Sequence, residues 1–163
     1  MKHFLFLFGT VAIVSFFDGG ASGQSVRFVR DISKPNAPVV TDSVTGLVWQ
    51  GCTLGQSGED CSGTARTMPW LEALENCTHS TWANYDDWRL PNIAELRSIV
   101  DNGRSGLAID TDYFPGTMSS FYWSSSSYVN LGGFGWSVQF SNGSVSSSGK
   151  DRFSYARCVR SGP

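Results

Sequence analysis

Four cysteines behind an apolar leader constrain this chain more than any other feature. Cys52, Cys61, Cys77 and Cys158 all lie downstream of an amino-terminal stretch with the form of an export signal. Lys2 and His3 open that stretch, Phe4 to Phe17 is apolar apart from Gly9, Thr10 and Ser15, and Gly19-Gly20-Ala21-Ser22-Gly23 supplies small residues. Ala21 and Gly23 fit the small positions three and one before a signal-peptidase cut. Residues 1–23 therefore read as a signal peptide and Gln24 as the mature start. The apolar run is about fourteen residues, short of the roughly twenty that cross a bilayer, and Asp18 closes it. No Cys before Cys52 is present to carry a lipoprotein anchor.

Four cysteines beyond an export signal read as two disulfides, with three pairings open. A metal site is the rival, and its spacing fails: there is no Cys-x-x-Cys, and His79 is the one imidazole after residue 23. No metal and no cofactor are expected. Cleavage removes Lys2 and Asp18 together, so the formal net charge stays at −2. A slightly acidic chain of this length is expected to form one domain with a sizeable core. It lacks the basic footprint of a general nucleic-acid binder, and no membrane span is expected after cleavage.

Val26 to Asp31 and Val39 to Asp42 read as short strands around a turn-rich Ser33-Lys34-Pro35-Asn36, and Leu47-Val48-Trp49 as a third. Gly51 to Thr67 has no period and reads as a surface loop pinned by Cys52 and Cys61. Trp70, Ala73, Leu74 and Cys77 share one helical face, with Thr67 as a cap and Pro69 in the first turn. Asn92-Ile93-Ala94-Glu95 has the form of a capping box for a second helix that carries Ile93, Leu96 and Val100 on one face and ends at Asp101-Asn102-Gly103. Phe121 to Ser125 reads as a strand. Phe134, Trp136, Val138 and Phe140 alternate with small or polar residues, as in a strand with one buried face. Asn142-Gly143 is a hairpin signal, and Tyr155 to Arg160 reads as the last strand. Strands, two helices, then strands predict an α+β domain over residues 40–163, preceded by a strand-and-turn segment over 24–39.

Six segments occur in order: Val44-Thr45-Gly46-Leu47-Val48-Trp49, Asp87-Trp88-Arg89-Leu90-Pro91, Glu95-Leu96, Phe114-Pro115, Tyr122-Trp123-Ser124-Ser125 and Arg157-Cys158-Val159-Arg160. Together they resemble the bacterial Lcl C-terminal domain family over about residues 40–160. The resemblance implies a C-type-lectin-like fold, shared with formylglycine-generating enzymes: an irregular antiparallel β core, two α-helices, and loops and short strands that display ligand-contacting residues. It implies a surface or secreted protein. The adhesin for which the family is named binds sulfated glycosaminoglycans, but its collagen-like region is absent here. The resemblance also implies a long-range bridge from the first helix to the last strand, Cys77–Cys158. Cys52–Cys61 then closes a short Gly/Ser loop where local pairing is easy, a loop that departs from the family pattern.

Asp86-Asp87-Trp88-Arg89-Leu90-Pro91 is the densest motif. One reading is a small acid/base or binding site. The preferred reading is scaffold: Trp88 and Leu90 fill the core, and an Asp–Arg pair fixes the start of the second helix, where Glu95 sits. Asp110 and Asp112 form an Asp-x-Asp, but calcium needs six to eight oxygens from a shaped loop, and no EF-hand series or Trp-Asn-Asp is present. Catalysis is not expected. No Gly-x-Ser-x-Gly elbow accompanies His79, and the formylglycine-generating relatives use two free cysteines near the carboxyl end, where Cys158 stands alone.

Residues 113–149 carry no charge, and from Ser119 onward Ser, Gly and aromatics dominate, the composition of an antibody paratope. Phe134, Trp136, Val138 and Phe140 are assigned to the core. Tyr122, Trp123, Ser125, Ser127, Tyr128 and Asn130, joined by Lys150 and Arg152, are the expected ligand contacts. The expected partner is a glycan or other surface polymer, with a slight preference for a neutral one. A sulfated polymer would need Lys150, Arg152, Arg157 and Arg160, which alternation cannot all place in one groove. The alternatives are a structural or protein-binding envelope module and, third, a divergent enzyme of the formylglycine-generating type.

Overall fold

The computed structural model describes residues 26–130 and 132–162; the predicted signal peptide, residues 1–23, lies outside them. In chain order the elements are β1 (Phe28–Asp31), β2 (Val39–Asp42), β3 (Leu47–Gln50), α1 (Trp70–Thr78), α2 (Ile93–Ser98), β4 (Phe121–Ser127), β5 (Phe134–Gln139), β6 (Ser144–Gly149) and β7 (Val159–Ser161). The domain is α+β, with two antiparallel sheets, two helices and two disulfides. No helix of the described residues is long and apolar enough to cross a membrane.

Valines and Trp49 favour the pleated, half-buried surface of a sheet, and they form the middle of the first one. Its order is β1-β2-β3-β7, so the segment around Phe28 and the carboxyl-terminal strand meet in one layer. The β2–β3 turn is held by Asp42, whose buried carboxylate accepts from Arg27 at 2.7 Å, Thr45 Oγ1 at 2.9 Å and Val44 N–H at 3.0 Å. Burial pushes that carboxyl up, but Arg27, Thr45 and Val44 together hold it below the usual range.

The second sheet has the order β4-β5-β6, and the Asn142-Gly143 turn closes its β5–β6 hairpin. Gly143 has φ +76°, and a Cβ there would collide with Asn102 and Val100. Helices cover both faces of this sheet. Trp123 packs with Ala73 and Cys77 of α1, whereas Tyr122, Val138 and Phe140 pack with Leu96 of α2 and with Ile99.

Double coverage overturns the one-buried-face reading of β5. Gly135 and Ser137 are buried along with Val138, while Trp136 is half-buried and Phe134 is 38% exposed. Alternation separates inside from outside only where one face meets water.

Other boundaries moved for local reasons. Thr67 does not cap α1: Pro69 occupies the N-cap with no side-chain bond. Thr67 instead precedes the Met68–Ser154 bridge, and Trp70 N–H is satisfied by the Lys150 carbonyl at 3.0 Å. The last strand is confined to Val159–Ser161, because Tyr155 bridges Tyr122 rather than joining the first sheet. α2 ends at Ser98, before the expected Asp101-Asn102-Gly103.

The start of α2 matches its spacing. Asn92 Oδ1 accepts from Glu95 N–H at 2.9 Å, and a Glu95 carboxylate oxygen accepts from Asn92 N–H at 2.8 Å. The same carboxylate accepts one N–H from each terminal nitrogen of Arg89, at 2.7 and 2.8 Å. The expected Asp–Arg pair is therefore an Arg89–Glu95 pair, and Asp87 bonds Arg160 instead. Trp88 and Leu90 are each 2% exposed, as the scaffold reading requires. Arg89 holds the Glu95 carboxyl below its usual range, burial opposes it, and Asn92 N–H adds to the lowering. A depressed carboxyl stabilises fully above its unfolded value and loses that stabilisation as pH falls through the folded one. Glu95→Gln is expected to cost about 1–2 kcal/mol at neutral pH. The gap to wild type should narrow below about pH 4; urea unfolding at both pH values checks it, and a pH-independent gap contradicts the ion-pair account.

Candidate functional site

Most of the uncharged candidates gather where β4 leaves the second sheet. The β4–β5 register shifts between Trp123 and Ser127, so the serine run departs from a simple ladder. Three of its serines are structural. Ser124 is fully buried and donates to the Trp136 carbonyl at 2.8 Å. Ser125 N–H donates to the Pro91 carbonyl at 2.7 Å, and Ser126 Oγ accepts from Ile93 N–H at 3.1 Å, tying β4 to the start of α2. Ser127 is exposed, and its hydroxyl accepts from Lys150 Nζ at 2.8 Å.

That ammonium also lies 4.0 Å from the centroid of the half-buried Trp70 ring. Trp70 in turn donates its indole N–H to the Ser124 carbonyl at 2.8 Å. Gly135 permits this approach: a Cβ there would stand 2.8 Å from Trp70 Cδ1. Beside these residues, Tyr128 meets Trp136 edge to face, with centroids 5.2 Å apart. Both rings are half-buried, and Asn130 and Phe134 are exposed next to them in sequence. The result is an open platform of rings, hydroxyls and one amide, with a single ammonium at its side.

Two expected ligand contacts are core residues. Tyr122 is fully buried, its ring 5.0 Å from Phe140 and its phenol oxygen bonded to Thr53 Oγ1 at 2.7 Å and Met118 N–H at 2.8 Å. Burial pushes that phenol up, against the nearby Arg157 charge. Trp123 is fully buried as well and donates to the Met68 carbonyl at 3.0 Å. Trp136 and Phe134, which sequence reasoning assigned to the core, supply rings at the surface instead, and Trp70, read only as part of the apolar face of α1, joins them half-buried. The signal for Trp70 was Gly135, a residue with no side chain between two aromatics in a strand.

The basic residues do not converge. Arg157 is 1% exposed, and Arg160 bonds Asp87 at 2.6 Å and lies over the Tyr85 ring. Lys150 is left at the platform, and Arg152 is exposed two residues further along the chain. Asp110 is engaged by Arg104 at 2.6 Å, and no group of three or more His, Cys, Asp or Glu among the described residues could hold a metal ion. The disulfides are Cys52–Cys61 and Cys77–Cys158, with Cα separations of 5.2 and 5.4 Å.

The model of one protein family, described as the Lcl C-terminal domain, matches residues 38–160. No curated protein matches the chain.

Proposed function

This chain belongs to the Lcl C-terminal domain family, and from that premise we propose an exported binding domain that recognises a glycan or other surface polymer on the Tyr128–Trp136 platform. The observation that carries this reading is the pair of half-buried rings at 5.2 Å beside Ser127 and Asn130. Apolar C–H faces of sugars stack on such rings while their hydroxyls meet Ser and Asn. A neutral polymer fits better than a sulfated one, because Arg157 is buried and Arg160 is held by Asp87. The C-type-lectin-like reading belongs to the same proposal, supported by the first and last strands of the described residues lying in one sheet and by the bridge from α1 to Cys158 just before β7. Export is supported by two disulfides, which persist in oxidising compartments. Both bridges together use all four cysteines, leaving no thiol pair for chemistry of the formylglycine-generating type.

A glycan array on residues 24–163, with and without EDTA, tests the reading. Binding should ignore EDTA and survive a rise from low to moderate salt, since stacking is not screened. Tyr128→Ala should weaken it about tenfold, the loss of roughly 1.4 kcal/mol of ring contact. Affinity that collapses with salt, and with Lys150→Ala plus Arg152→Ala, would move the ligand to the sulfated class. A second reading, a protein partner, is favoured by the exposed Val129, Phe153 and Leu71, at 94%, 67% and 60%; an array with no bound glycan would favour it.

A further inference from the structure

A separate groove opens past the other end of α1. The segment from Ser80 to Asn84 and the turn from Lys34 to Ala37 line a cavity of about 460 Å³, with Trp82 in its wall. The nine residues of α1 separate it from Trp70 by roughly 13 Å of helix rise.

Trp82 is pinned from two sides. Its indole N–H donates to the Pro38 carbonyl at 2.8 Å, and its own carbonyl accepts from the core Trp88 indole at 2.9 Å. The two residues that follow, Ala83 and Asn84, are both left-handed, with φ of 55° and 64°. Consecutive non-glycine residues there are costly, persist only where their surroundings enforce them, and gather at ligand sites. Around them the side chains of Asn36, Asn84 and Thr81 make no hydrogen bond, and Lys34 makes no ion pair, among the described residues. Lys34 shares an adjoining small cavity with Asp31, so the neighbourhood carries both signs of charge.

We propose that this groove binds one neutral pyranose unit of a saccharide, stacked against Trp82 and hydrogen-bonded by the Asn36 and Asn84 amides. An amide offers a donor and an acceptor together, which matches adjacent sugar hydroxyls. The ring wall is fixed in advance by the Trp82–Pro38 bond and loses little freedom on binding, while the exposed amides are free to turn toward a sugar at the usual rotamer cost. The inference stands apart from the sheet platform and does not need it.

Titration of ¹⁵N-labelled protein spanning residues 24–163 with chitotriose and with maltotriose tests it. At least one sugar should shift the Trp82 indole N–H and the side-chain amides of Asn36 and Asn84. Asn84→Gly keeps a residue suited to positive φ while deleting the amide, and it should weaken those shifts at least fivefold. Tyr128→Ala should leave them unchanged. Shifts confined to Tyr128 and Trp136 would support the platform alone and overturn the groove. Wild-type binding by Asn84→Gly, or no shift from either sugar at millimolar concentration, overturns it too.

Discussion

Replacing Cys77 and Cys158 together by alanine is expected to destabilise the domain by about 4.5 kcal/mol, against about 2.7 kcal/mol for Cys52 and Cys61. The difference comes from the closed loops, with sequence separations of 81 and 9, because the longer loop removes more entropy from the unfolded chain. Packing acts in the same direction. Cys77 and Cys158 are fully buried in the cluster that holds Met68, Trp88 and Trp123. α1 has nine residues and no side-chain cap, so it cannot hold itself and relies on that cluster. The shorter bridge is buried too, but its loop keeps other anchors, among them Leu54 N–H to the Ala156 carbonyl at 3.0 Å and Thr53 Oγ1 with the Tyr122 phenol at 2.7 Å. A domain with an ordinary margin of about 5–15 kcal/mol would lose much of it with the long bridge. Urea unfolding of the two double variants decides the order, and equal or reversed losses would show that local strain or packing, not loop closure, governs the bridges.

What could be read from the sequence was what short-range geometry decides. The Asn92–Glu95 box, the Asn142-Gly143 hairpin and the buried Trp88 and Leu90 each depend on residues a few positions apart. The platform failed where the outcome depends on what covers a strand. Tyr122 and Trp123 are adjacent, so one of them should face water if one face of the sheet does; α1 and α2 bury both. The same coverage left Trp136 and Tyr128 at the uncovered end, a distinction that composition cannot make. Arg89 illustrates a nearer miss. Its partner was already identified as the third residue of a capping box, and one carboxylate serves both roles. The Trp82 groove had little signal, since Asn84 suits the left-handed region but nothing in the sequence announces that Ala83 joins it there.

Arg157 is the residue furthest from its sequence reading, and Arg157→Ala is expected to cost about 3–4 kcal/mol. Its guanidinium is buried, and among the described residues no carboxylate bonds it. It donates to Thr117 Oγ1 at 2.8 Å and the Gly51 carbonyl at 3.3 Å, reaches Thr53 Oγ1 at 3.5 Å, and lies 4.8 Å from the Phe114 ring centroid, while Nε has no partner. Burial pushes the group down to about 10, so it is charged throughout the neutral range and is balanced by oxygens and a ring alone. Two effects of removing it oppose each other. Deleting the cation relieves a desolvation penalty of several kcal/mol. Truncation also leaves acceptors drawn from residues 40, 104 and 106 positions away without their shared donor, and opens a cavity that a close-packed interior closes only in part. For alanine the cavity and the orphaned acceptors win. For Arg157→Met most of the volume stays, so relief of the charge offsets the lost bonds and the cost should fall to about 1 kcal/mol. The loss should not vary across the neutral range, because no proton is exchanged there. Urea unfolding of the two variants separates the terms: a methionine variant as unstable as alanine would assign the cost to the hydrogen bonds of the guanidinium rather than to the space it fills.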